Sequence, residues 1–302
     1  MWWIADKVAY RNEDNFRRAY KDGEIIWEKI ANNQIFYKTS NNVRVAPYIA
    51  DVSGGGFGAN IVSNVYSDGL GVITFDGDVT RIGVGAFSIL YTNTSHLTTV
   101  IIPNSVTRIE QVAFFSDLYP GSEISYVNIP SSVTYIGDRA FQGTDITSIY
   151  VSPQMRLGVN VFRNCSDSVL EVVVDPNNRV YDSRDNCNCI IETATNKLLF
   201  GCVNSFIPNT IVKIGANAFE FASFLRNLTI PASVSEIGDY AFEGCTNLRE
   251  VIVNATVPPT AGYYIFRYYN SNYLTIKVPA GSVEAYKSAS GWSDYAAQIV
   301  AQ

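Results

Sequence analysis

One phrase returns along the chain and limits its fold more than any other feature. It runs Leu97-Thr-Thr-Val-Ile-Ile-Pro-Asn-Ser-Val-Thr-Arg-Ile-Glu-Gln-Val-Ala-Phe114 in one copy. It returns as Ile124-Ser-Tyr-Val-Asn-Ile-Pro-Ser-Ser-Val-Thr-Tyr-Ile-Gly-Asp-Arg-Ala-Phe141, and again as Leu225-Arg-Asn-Leu-Thr-Ile-Pro-Ala-Ser-Val-Ser-Glu-Ile-Gly-Asp-Tyr-Ala-Phe242. The Ala-Phe element falls at Phe87, Phe114, Phe141, Phe219 and Phe242, with degenerate versions at Phe162 and Phe266. Most intervals are about 21 to 27 residues, the spacing of a stacked solenoid. A unit this short cannot bury its own apolar face, so the units must stack and share one core.

Each unit opens on a strand of form Leu-x-x-Val-x-Ile, whose side chains alternate in and out. Proline ends it, because it cannot donate to a central ladder. A second extended piece, Ser-Val-Thr-x-Ile-Gly, follows. Gly83, Gly137, Gly215 and Gly238 are expected to turn the corner at positive φ. The Asp-x-x-Ala-Phe segment reads as one helical or 3₁₀ turn, with Asp138 and Asp239 placed to cap it. Its Phe plugs the core. The pattern predicts a β-rich repeat solenoid of parallel stacked strands, without long crossover helices.

Three parts are expected. Residues 1–58 form a small β-rich N-terminal module ending in the glycine-rich linker Gly54–Gly58. Within it, Glu24-Ile-Ile-Trp-Glu-Lys-Ile30 is a strand after a Lys-Asp-Gly turn, and residues 34–50 form a hairpin turning at Asn41-Asn42. Residues 59–266 form the solenoid. It is interrupted near 177–206, where Cys189-Ile-Ile-Glu192 and Lys197-Leu-Leu-Phe200 read as an inserted hairpin. Residues 267–302 form a cap, with a helix across Tyr286 to Ala297.

The formal net charge of −6 and pI near 4.9 argue against nucleic acid or an anionic membrane as main partner, since both need a basic surface. No run of eighteen apolar residues occurs, so no membrane insertion is expected. The start, Met-Trp-Trp-Ile-Ala-Asp, lacks the pattern of a secretory leader. With Met1 native, general secretory export is not expected; with a leader removed, an extracellular or cell-surface location is.

The odd count of five cysteines opposes a full disulfide framework. Cys165 and Cys245 both lie three residues after a repeat Phe, where a small thiol packs well. Cys187-Asn-Cys189 with Cys202 has neither Cys-x-x-Cys spacing nor a nearby histidine. Buried free thiols are expected first, a disulfide from Cys202 second, and a metal last.

Catalytic constellations are missing. His96 is the single histidine, in a Ser/Thr-rich loop, so Ser-His-Asp or Cys-His chemistry would have to run through it alone. The Gly54-Gly-Gly-Phe-Gly58 run has no phosphate-binding lysine after it and reads as a flexible connector. Asp76-Gly-Asp78 lacks the spacing and terminal Glu of a calcium loop and reads as a turn cap. No acidic pair stands out for glycoside hydrolysis. Neither catalysis nor a cofactor nor a metal is expected.

Binding is the better expectation. Alternation turns Thr99 and Ile101, Tyr126 and Asn128, Ser148 and Tyr150, Glu171 and Val173, Asn227 and Thr229, and Glu250 and Ile252 outward. From this face Tyr126, Asn128, Ser148, Tyr150, Glu171, Asn227, Thr229 and Glu250 are the candidate contact residues, since tyrosine beside small polar groups suits recognition. The run Tyr263 to Tyr273 is a second candidate, with packing inside the cap as its plainer reading.

The repeats resemble the BspA-like leucine-rich repeat family, whose unit is Leu-x-x-Ile-x-Ile-Pro-x-Ser-Val-x-x-Ile-Gly-x-x-Ala-Phe-x-x-Cys. The likeness covers roughly residues 76 to 266, and Val278-Pro-Ala-Gly-Ser-Val-Glu-Ala-Tyr-Lys287 resembles that family's ending. It implies a curved, non-enzymatic solenoid for adhesion and protein recognition, often at the surface of host-associated bacteria. Protein or glycan partners on a host or bacterial surface follow from it. The phrase Lys21-Asp-Gly-Glu-Ile-Ile-Trp-Glu-Lys29 is similar to short modules of bacteriophage tail proteins. The alternative it implies is a virion component docked through the N-terminal module, with virion proteins as partners.

Overall fold

The computed structural model describes residues 31–49, 56–92, 96–116, 123–268 and 273–302, together with the backbone of an antiparallel strand pair, Ala19–Lys21 with Glu24–Trp27. The Lys-Asp-Gly turn expected between those two strands falls at residues 22–23, outside the described residues.

The chain winds as a solenoid with three ladders per coil. Long strands stack in parallel: Leu97–Ile101 on Tyr126–Asn128, Ser148–Val151 on Glu171–Val174, and Asn227–Ile230 on Glu250–Val253 and Thr275–Val278. Short strands form a second ladder, Arg81–Ile82, Arg108–Ile109, Tyr135–Ile136 and Arg156–Leu157, again parallel. The third runs through the Ala-Phe corner. Phe87 N–H donates to Ala113 C=O at 2.7 Å, Phe114 to Ala140 at 2.8 Å, and Phe242 to Ile265 at 2.9 Å. In a regular coil each side thus pairs its backbone with the neighbouring coil, which is why no long helix is needed.

Inside, the repeat phenylalanines form a column. Ring centroids of Phe87 and Phe114 lie 5.4 Å apart, Phe114 and Phe141 5.0 Å, and Phe141 and Phe162 5.8 Å, all stacked. Such offset stacks add about 0.5–1.5 kcal/mol per pair beyond burial. Phe219, Phe242 and Phe266 repeat the arrangement at 5.5 and 5.4 Å.

The corner glycines serve a different purpose from the one expected. Gly83, Gly137, Gly215 and Gly238 do not adopt positive φ. They are small because coils touch there: a Cβ on Gly137 would lie 2.4 Å from the Gln111 nitrogen. Positive φ falls instead two residues before the plug, at Gly85, Val112, Arg139, Asn160, Asn217, Tyr240 and Tyr264. The aspartates also act between coils. Asp138 Oδ1 accepts the Val159 N–H at 2.8 Å, and Asp239 Oδ1 accepts that of Tyr263 at 2.7 Å.

The N-terminal flank differs from the expected hairpin. Strand Gln34–Thr39 does not fold back on residues 43–50; it pairs antiparallel with Leu70–Phe75 on one side and Leu97–Ile101 on the other. The hairpin here is Ile61–Ser67 with Leu70–Phe75, turning at Asp68-Gly69. Phe57, placed in the expected flexible linker, is buried against Phe75 and Phe87 and continues the aromatic column. Asp76, expected to cap its own turn, instead ties the open end of this hairpin, accepting the Asn60 backbone N–H at 2.8 Å.

The inserted hairpin is present, Cys189–Glu192 against Lys197–Gly201, with Tyr181–Asp182 on its outer edge. It separates two core clusters, with Ile190, Phe200 and Cys202 in one and Cys187, Cys189, Ile191 and Leu198 in the other. At the Ala-Phe corner, side chains span the interruption. Asn160 Nδ2 donates to Asn217 Oδ1 at 3.1 Å, and Arg163 forks onto Glu220 at 2.5 and 2.7 Å.

The C-terminal helix is shorter and earlier than expected, Val283–Ser288; the chain turns extended at Ala289, and Gly291 follows at φ 77. A 3₁₀ turn, Ser293–Tyr295, and a last strand, Ile299–Ala301, complete the cap. Trp292 and Tyr295 meet Phe266 edge-on and close the column.

Candidate functional site

The outward column is only partly assembled. Ser148, Tyr150, Glu171, Asn227 and Thr229 are exposed, while Tyr126 and Glu250 are half-buried. Strand register sets Ser148 beside Glu171 and Tyr150 beside Val173. It sets Asn227 beside Glu250, and Glu250 beside Thr275. Tyr126 stands next to Thr99 in a separate sheet. The column is therefore three short patches, because the long-strand ladder is broken on either side of Ser148–Val151 and Glu171–Val174.

Asn128 is not on this face. It is buried, and its carboxamide accepts the Ile102 N–H at 2.6 Å and donates to the Ile102 C=O at 3.0 Å. The strand stops at Asn128, so its side chain replaces the pairing that Ile102 would otherwise lack. Ile101, also expected outward, is buried.

Tyr150 is the most organised exposed residue. Its hydroxyl donates to Asp175 Oδ2 at 2.6 Å. Burial of the ring edge and this bond push the phenol up to about 12. The same bond, with the Asn177 N–H, holds the Asp175 carboxyl below its usual range. Asp175 lies 25 residues from Tyr150 in sequence, and no local pattern joins them. Glu250 is engaged as well, by Lys277 Nζ at 2.7 Å.

Among the described residues of the run, Tyr263, Tyr264, Tyr268 and Tyr273 are exposed rather than packed into the cap, while Ile265 and Phe266 turn inward. Tyr264 stacks on Tyr240 at 5.9 Å, and the Arg267 guanidinium covers Tyr264 and Tyr268 at 5.0 and 4.5 Å.

His96 has partners after all. Its Nδ1 lies 3.2 Å from Glu123 Oε1 and 3.4 Å from Ser40 Oγ, and Ser40 also donates to Glu123. The trio has the residue types of a hydrolase triad but not its geometry. Acid and hydroxyl meet the same ring nitrogen and each other, so no proton can pass from serine through the ring to the acid.

All five thiols are free and buried. Cys165 Sγ donates to the Phe141 carbonyl at 3.0 Å and Cys245 Sγ to that of Phe219 at 3.2 Å, tying each coil to the one before. Burial pushes Cys165 up to about 11. Cys187 is lowered to about 7 by its bond with Cys189, while burial drives Cys189 upward. Among the described residues no group of three His, Cys, Asp or Glu could hold a metal, and no helix is long and apolar enough to cross a membrane.

These features define a parallel β-solenoid of the leucine-rich repeat class. The family described as BspA type leucine rich repeat region matches in six copies, over residues 60–169 and 196–289, and the chain belongs to it. Solved structures resemble it at low identity. A leucine rich cell surface protein from Faecalibacterium prausnitzii is 21% identical, over 74% of this chain and 69% of its own, with a TM-score of 0.48. A leucine-rich repeat protein from Eubacterium ventriosum is 18% identical, over 68% and 64%, at 0.48. One from Bacteroides ovatus is 19% identical, over 93% and 71%, at 0.43. No curated protein sequence matches.

Proposed function

We propose that the chain is a non-enzymatic recognition module that binds protein or glycan partners through the exposed face of its long strands. The observation that carries this is the Ser148–Tyr150–Glu171 patch. It stands on two strands paired over four residues, with Tyr150 held in place by Asp175. A tyrosine fixed before contact loses little entropy on binding and offers both an apolar ring and a polar tip. Asn227, Thr229 and Glu250 extend the face on the far side of the insertion, and Tyr126 on the near side. A setting at a bacterial surface, implied by the family resemblance, belongs to the same proposal. The virion alternative rested on residues 21–29, whose side chains lie outside the described residues, and no comparison speaks for it.

The test is a panel of purified host matrix proteins and an immobilised glycan array, probed with the full chain and with Tyr150→Ala/Glu171→Arg. Binding that falls at least about tenfold in the variant, with its fold intact by circular dichroism, is expected. Equal binding by both chains would refute the assignment to this face. For the enzymatic side, any hydrolysis of the bound partner abolished by His96→Ala would overturn the non-catalytic reading.

A further inference from the structure

Where the chain leaves its regular course, it opens a cleft of about 650 Å³ lined by Pro153, Gln154, Arg156, Pro176, Asn177 and Arg179, with Asn178 behind. Its origin is topological. The turns 152–156 and 175–179 are successive Pro corners, and in regular coils the short strands after such corners pair, as Tyr135–Ile136 does with Arg156–Leu157. After Arg179 the chain instead runs into Tyr181–Asp182, which pairs antiparallel with the inserted hairpin. Arg156–Leu157 is left as the last strand of its sheet, and the two corners are joined by the Asn178 side chain instead of a strand pair.

The wall is rigid. Asn178 Nδ2 donates to the Ser152 carbonyl at 2.7 Å and its Oδ1 accepts the Val180 and Tyr181 N–H groups, both at 2.9 Å. That side chain is spent on structure. The arginines are not. Both are exposed; Arg156 gives one bond to the Met155 carbonyl at 3.0 Å, and Arg179 has no partner among the described residues. No carboxylate lines the cleft. Asp175, next to it, is engaged by Tyr150 and Asn177. In a chain of formal charge −6, two arginines facing one cleft without a lining acid make a local site for an anion.

We propose that this cleft binds a carboxylated sugar of an anionic glycan. The guanidinium groups of Arg156 and Arg179 fork onto the carboxylate. The amides of Gln154 and Asn177 meet hydroxyls, and the rings of Pro153 and Pro176 face the C–H side of the sugar. The volume falls in the range of small-molecule sites, roughly 300–1,000 Å³. An acidic peptide fits less well, because it would add along the open edge of Arg156–Leu157. That edge is closed: the Tyr181 hydroxyl accepts the Leu157 N–H at 3.1 Å and donates to the Leu157 carbonyl at 3.4 Å. The site lies beside the long-strand face and does not depend on its function.

Calorimetry on the full chain decides it, with tetragalacturonate and sialyllactose as probes. Their neutral counterparts, the methyl-esterified tetramer and lactose, are the controls, and a tetraglutamate peptide is the competing class. At least one acidic sugar is expected to bind about tenfold more tightly than its neutral counterpart and than the peptide. Arg179→Gln and Arg156→Gln are each expected to weaken it about fivefold or more, with the thermal midpoint unchanged. No binding of either acidic sugar at millimolar concentration would overturn the proposal. So would equal binding of acid and neutral forms, unaltered binding by Arg179→Gln, or tighter binding of the peptide.

Discussion

Phe141 has no exposed surface and lies between the rings of Phe114 and Phe162, so Phe141→Ala leaves a cavity that stacked coils cannot close. A loss of about 3–5 kcal/mol is expected in a denaturant titration. Tyr150→Ala gives up one exposed bond and a partly covered ring, and is expected to cost well under half as much. Comparable losses at the two positions would contradict the placement of Tyr150 on the outer face. Val112 is a different case. It sits at φ 49, in the left-handed region that β-branched residues resist, while the same place in other coils is filled by Gly85, Asn160 and Asn217. Left-handed backbone costs most residues about 1–2 kcal/mol. Val112→Asn is therefore expected to raise stability by roughly 0.5–1 kcal/mol, read as a higher thermal midpoint.

The inserted hairpin shows which features a sequence can declare. Its strands were legible because both are short alternating runs around a turn. The repeat unit was legible for the same reason, since Pro, Gly and Ala-Phe mark it locally. What failed to show were relations across coils. The corner glycines answer to backbone from the preceding coil, Asn128 to Ile102, and strand Gln34–Thr39 to Leu97–Ile101 about sixty residues on. Asp175 was invisible because it meets Tyr150 only through the register of neighbouring coils, and the Arg156/Arg179 cleft because it exists only once the insertion has diverted the chain. The insertion also explains the paired acids beside it. Glu220 is forked by Arg163 across the gap, and the Glu243 carboxyl stands above its usual range through burial first and the charge of Glu220 next. An acid raised in the folded state favours folding below its unfolded value, and that contribution is lost as pH rises through it. At pH 7 the charge on Glu243 thus opposes folding, so Glu243→Gln is expected to stabilise the fold, read as a higher thermal midpoint at pH 7. The gain should shrink to nothing near pH 4; a gain constant from pH 4 to 7 would rule out this account. The thiols beside the hairpin give a chemical readout. All are buried, so none should react quickly with an aromatic disulfide reagent in the native state, and all five should react after unfolding.

At the scale of the whole molecule, stability follows neighbours rather than a single centre. Stacked repeats behave approximately as a line of units, each coupled to the next. Here the line has a seam. Residues from Ile35 to Cys202 form one buried cluster and those from Cys187 to Ile299 another, meeting at the inserted hairpin. Contact across the seam is close, since a Cβ on Gly201 would fall 2.1 Å from the ring of Phe219. Its backbone pairing is irregular at the Ala-Phe corner, where Gly201 rather than Phe162 donates to the Ala218 carbonyl at 2.9 Å, and the side chains of Arg163 and Glu220 span the gap. The second cluster depends on its cap. Trp292 is fully buried, donates its indole N–H to the Pro259 carbonyl at 2.8 Å, and meets Phe266 and Tyr286 edge-on. Trp292→Ala removes all of this and exposes the end of the aromatic column, a change of about 3–5 kcal/mol for a buried ring. An interruption of the aromatic column at the seam should confine the effect. Native-state hydrogen exchange is expected to quicken at Phe242, whose amide bonds to Ile265, while Phe114, bonded to Ala140 on the far side, keeps its protection. Equal acceleration at both amides would mean that the solenoid unfolds as one cooperative unit, with the insertion acting as a splice rather than a boundary.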